Sequence, residues 1–148
     1  MDRQGLGFEP VRFSVPSYLC AVLAGSEFVA AAMVLLAGGG GYGISMLLAT
    51  AATGLLAALM AILVFLPAAL LTLRLANAWR TDRTLVYGLL SAGLSMLTSA
   101  FFLIPTDWSD HPGRNWALVV VGLVAVGGLL AGITYRWVYR LEHRKSVT

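Results

Sequence analysis

The chain has 148 residues, of which 59% are hydrophobic and only 11% charged, with a formal net charge of +3. That balance excludes an ordinary water-soluble domain. It does not indicate nucleic acid either, because the Arg residues stand beside apolar runs and form no basic face with interleaved aromatics.

Residues 1–17 carry Asp2, Arg3, Glu9, Arg12, Pro10 and Pro16 and read as a short arm ahead of the membrane. Residues 18–37 are apolar apart from Ser26 and Glu27. At 1.5 Å per residue they are long enough to cross a hydrocarbon core of about 30 Å. A secretory signal would have an apolar region of only about 7 to 15 residues behind a basic segment, and the carboxylate of Glu27 fits that reading poorly. Cys20 is the only cysteine, which rules out an internal disulfide or a multi-cysteine metal site. It is expected to be a small packing residue, with a reactive thiol as the alternative.

The Gly run at 38–41, followed by Tyr42 and Gly43, predicts a tight uncharged hairpin loop. A phosphate cradle would need Lys and Ser or Thr at set positions after it, and residues 44–48 supply only Ser45. Span two is predicted over 44–66, with Pro67 ending it and a helical extension to residue 79 along the membrane interface. A single tilted and kinked helix is the equal alternative. Arg74, Arg80 and Arg83 make the central loop basic. Span three is predicted over 84–104 and is stopped by Pro105. The loop 106–115 holds Asp107, Asp110, His111 and Arg114, a set more suited to a solvated turn than to a metal site. Span four follows over 116–138. Trp108, Trp116, Trp137 and Tyr139 fall at span ends, where aromatic residues sit at head-group depth.

Of the ten Lys and Arg residues, Arg114 alone belongs to the loops between spans one and two or three and four. The other nine lie in the arm, the central loop or the C-terminal tail, so the positive-inside rule orients both termini toward the cytoplasm. The expected fold class is therefore an all-α integral membrane four-helix bundle, one domain over 1–148. The bias toward Ala, Gly, Leu and Arg suggests a bacterial inner membrane.

Helices in lipid associate through close packing of small residues and a few polar contacts, since lipid tails are as apolar as Leu. Small residues at four-residue spacing nominate Gly54 and Ala58 in span two, Ser91 and Ser95 in span three, and Gly128 and Gly132 in span four as packing positions. These faces are expected to hold the four helices together; the Gly128 and Gly132 pair binding a second subunit is the alternative.

Glu27 is the one ionisable side chain well inside a span. A central charge there costs about 2.5 to 3.5 kcal/mol on insertion scales, so something must offset it. One reading is a proton- or cation-binding site; the other is a protonated Glu bonded to a neighbouring helix as structural glue. The pattern Tyr18-Leu19-(x)7-Glu27-Phe28-Val29 in a small chain of four spans resembles the small multidrug resistance transporters. That resemblance implies a homodimer whose first-span Glu binds protons and cationic drugs. It covers span one alone, and the longer arm and longer span two depart from the family pattern.

His111 and His143 lie outside the predicted spans, so bis-histidine haem binding is not expected. No HExxH motif, nucleophile elbow or Ser-His-Asp set appears, and neither enzyme activity nor a cofactor or bound metal is expected. The expected partners are the lipid bilayer and other membrane subunits or a second copy, with no nucleic acid. Two functions follow: a non-enzymatic subunit or assembly factor of a larger membrane complex, or a small proton-coupled exporter using Glu27.

Overall fold

The computed structural model describes residues 10–36, 44–81, 83–103 and 114–144. Every regular element among them is a helix: α1 (Val15–Leu36), α2 (Ile44–Val64), α3 (Leu66–Ala78), α4 (Thr84–Leu103) and α5 (Arg114–Arg144). Three helices are each long and apolar enough to cross a membrane, and counting the bent pair α2 and α3 as one broken span raises the number to four. The Gly-rich loop and the loop carrying Trp108, Asp107, Asp110 and His111 lie outside the described residues.

α1 starts three residues earlier than the apolar run suggests because its start is set by a cap. The Ser14 carbonyl accepts from the Tyr18 N–H at 3.0 Å, and the Ser14 hydroxyl accepts from the Ser17 N–H at 3.4 Å. Ser is a favoured N-cap, and Pro16 falls in the first turn, where its missing N–H leaves nothing unpaired.

The long second apolar run breaks at Phe65, and α3 leaves α2 at an angle of 61°. Pro67 has no N–H to offer the Leu63 carbonyl, so the ladder stops there. Other carbonyls of that turn find partners: Ala61 accepts from the Phe65 N–H at 2.9 Å, and Ile62 accepts from the Tyr18 hydroxyl at 2.6 Å. α3 ends in a double cap, with the Arg80 N–H on the Asn77 carbonyl at 3.0 Å and the Thr81 N–H on the Ala76 carbonyl at 3.2 Å. Arg80 takes the left-handed position at φ 47°, which glycine usually fills.

α5 packs along both α1 and α4, α2 lies along α1, and α3 reaches across to α4. The helices therefore follow one another in space as α2, α1, α5, α4, with no extended contact between α2 and α4. The arrangement is an open fan bridged at one end by α3.

Two close approaches hold the fan. Where α1 crosses α5, a Cβ on Gly25 would come 2.9 Å from the Gly127 carbonyl oxygen, and one on Gly127 would come 3.0 Å from the Gly25 carbonyl oxygen. Between α4 and α5, a Cβ on Gly128 would come 2.6 Å from the Ser95 hydroxyl, and one on Gly132 would come 2.5 Å from the Tyr87 carbonyl oxygen. Bare glycine surfaces let backbones meet, which is how helices gain van der Waals contact in an apolar medium. A core cluster of Val11, Tyr18, Leu73, Ala76, Tyr87, Tyr135 and Tyr139 draws on the arm and on α1, α3, α4 and α5. It marks the end of the fan where the arm docks.

Candidate functional site

Glu27 lies twelve residues into α1, about 18 Å along its axis at 1.5 Å per residue. Gly25 is turned to α5, and two further residues rotate the chain by about 200°, so Glu27 points away from that contact. It meets α2 instead. A Cβ on Gly54 would overlap the Glu27 carboxyl carbon and its oxygens, so the glycine is a seat for the carboxylate. Gly54 is buried while Glu27 is only partly so. No hydrogen bond or ion pair reaches Glu27 among the described residues. Ser91, Ser95 and Ser99 lie on α4, which packs on α5 and α3 and makes no extended contact with α1 or α2.

The other packing candidates separate into two sets. Ser91, Ser95, Gly128 and Gly132 come together at the α4–α5 contact, so the GxxxG face is filled by the chain's own α4. Ala58 is buried in the core cluster. Cys20, expected to pack, is exposed on α1.

A second feature is a cavity of about 210 Å³ inside the fan. Its floor is the glycine-rich α1–α5 contact, its walls are Ala57 and Ala61 of α2 and Ser91 and Ser95 of α4, and its roof is α3 through Ala68, Ala69 and Thr72. Glu27 is not among the lining residues, and no charged side chain is. The Thr72 hydroxyl donates to the Ala68 carbonyl and that of Ser26 to the Leu23 carbonyl, so these two are satisfied within their own helices. Tyr87 differs: it is 1% exposed, and its hydroxyl is buried with no hydrogen-bond partner among the described residues.

The third feature is a polar lock at the arm end, where the sequence alone indicates only a short arm ahead of the membrane. The Asn77 side chain holds Val11 twice, its Oδ1 accepting from the Val11 N–H at 3.0 Å and its Nδ2 donating to the Val11 carbonyl at 2.9 Å. The Tyr135 hydroxyl accepts from the Ser14 N–H and donates to the Arg12 carbonyl, both at 3.0 Å, and the Tyr139 hydroxyl accepts from the Arg12 N–H at 3.2 Å. Glu142 Oε2 accepts from the hydroxyls of Ser14 at 2.7 Å and Ser17 at 3.0 Å. These contacts explain why α5 continues six residues past the expected end of span four.

They also correct one expectation. Tyr139 is buried rather than set in an aromatic belt, while Trp79, Trp116 and Trp137 are exposed. Arg136, counted as a topology charge, is 7% exposed and lies over two rings, 5.4 Å from the centre of Tyr87 and 5.7 Å from that of Tyr139. No cluster of three or more possible metal ligands occurs among the described residues. No known protein family, curated protein or solved structure matches this chain.

Proposed function

We propose that this chain is a four-span helical membrane protein with both termini in the cytoplasm of a bacterial-type inner membrane, acting as a non-enzymatic subunit or assembly factor of a larger membrane complex. The positive residues support that orientation, because the arm, the end of α3 and the end of α5, which are tied together by the lock, carry most of them.

The observation that carries the functional reading is the setting of Glu27. A carboxylate midway along an apolar helix, seated on a glycine, partly exposed and outside the cavity, faces outward toward whatever lies beside α1 and α2. Such a group is costly beside lipid and favourable beside a donor on another membrane helix. The exporter reading asks for Glu27 on a path through the protein; the cavity inside the single chain does not supply one, so that reading depends on a second copy meeting the α1–α2 face.

Affinity purification from the native membrane in mild detergent tests the proposal. The expected result is a discrete membrane partner that co-purifies with the natural chain and is lost from Glu27→Leu, with the variant still folded. A chain that comes out alone, or a Glu27→Leu variant that keeps its partner, would overturn it.

A further inference from the structure

We infer that the cavity between α2 and α4 holds one hydrocarbon chain of a phospholipid drawn from the surrounding bilayer. The inference rests on the chain being membrane-embedded but not on any role for Glu27, which lies elsewhere.

Three observations select this occupant. The first is access. α2 and α4 make no extended contact, so the cavity is open on the side between them, while α3 bridges one end. A flexible chain can enter sideways through that gap. A partner helix running the full depth of the membrane would be blocked by α3.

The second is lining and size. Small apolar residues and glycines dominate, no charged group lines the wall, and the volume is about 210 Å³. An apolar cavity of about 150 Å³ already takes a benzene-sized guest. Hydrocarbon fits such a wall, and a hydrated ion or sugar does not, since each would leave polar groups unpaired.

The third is polarity at the bridged end. Tyr87 lines the cavity there with a buried hydroxyl that lacks an acceptor among the described residues. The guanidinium of Arg136 lies over the same ring at 5.4 Å. Both groups lie beneath the wall at that end, so the positive field of the guanidinium, rather than a direct contact, favours a phosphodiester head over the open end with its chain lying along the groove.

The full-length protein, reconstituted in vesicles of phosphatidylethanolamine and phosphatidylglycerol and then extracted in mild detergent, should retain one phospholipid per chain by native mass spectrometry. Ser91→Leu and Ala61→Leu fill the groove from opposite walls and should each lower occupancy by about tenfold or more. Circular dichroism identifies which variants are folded. Loss of lipid from every folded groove variant supports the inference. A natural chain that carries no phospholipid, one that carries a peptide there instead, a folded groove variant with undiminished occupancy, or two groove variants that cannot fold at all would overturn it.

Discussion

Gly54 and Glu27 occupy one another's space: the glycine is bare where the carboxylate lies, and a methyl group there would overlap it. Size at one position is thereby coupled to the side chain at the other. Gly54→Ala should lower stability by about 1–3 kcal/mol, the usual cost of overpacking a closed contact. In a Glu27→Ala background the same change should cost almost nothing, giving a coupling energy of about 1 kcal/mol or more in a double-mutant cycle. Thermal unfolding in detergent measures all four proteins, and strictly additive effects would show that the glycine is not there for the carboxylate.

The arm depends on Asn77, which supplies both an acceptor and a donor to Val11. Asn77→Ala leaves the N–H and carbonyl of a residue that is 4% exposed without these partners. An unsatisfied buried polar group costs about 1–3 kcal/mol. The arm should then detach locally while the helices stay folded. Hydrogen exchange at Val11 should quicken markedly in Asn77→Ala, whereas amides in the middle of α5 should keep their protection. Equal loss of protection in both places would mean that the lock and the helices unfold as one unit.

The helices were legible in the sequence because apolar runs of bilayer length report themselves directly, and the break near Pro67 was legible because proline removes a particular hydrogen bond. The lock was not. Asn77, Tyr135, Tyr139 and Glu142 are single polar residues on two different helices, and their contacts with the arm are at sequence separations of 66 to 128 residues. A partial signal existed: Tyr135, Tyr139 and Glu142 are spaced by four and three residues and so share one face of α5 beyond the apolar run. Ser14 followed by Pro16 was likewise a readable helix start. The setting of Glu27 was beyond reach for a different reason. The rotation of α1 about its axis is fixed by Gly25 meeting Gly127, and a lone sequence does not say which helix a glycine will touch.

Arg80 holds the left-handed cap position of α3 at φ 47°, and its side chain is exposed. A non-glycine residue there bears a steric cost that glycine avoids. Arg80→Gly should therefore stabilise the protein by about 0.5–1 kcal/mol even though it places the most flexible residue at the end of a helix. A higher unfolding temperature in detergent is the expected reading. A lower one would mean that the Arg80 side chain contributes more at that corner than its exposure indicates.

Glycine-to-alanine changes should divide by sign according to what each glycine faces. At Gly25 the added methyl would come 2.9 Å from the Gly127 carbonyl oxygen, and backbone on a packed helix yields little. Gly25→Ala should cost about 1–3 kcal/mol and push α1 away from α5. Gly93 on α4 and Gly122 on α5 meet nothing within 4 Å. Alanine at either place adds helix propensity without a clash and should stabilise by up to about 1 kcal/mol. The contrast is stronger than any single value, because general sensitivity of helical glycines would move all three variants in the same direction. Unfolding temperatures of the three proteins in one detergent therefore decide whether the α1–α5 crossing owes its closeness to Gly25, and stabilisation at all three sites would reject the tight contact.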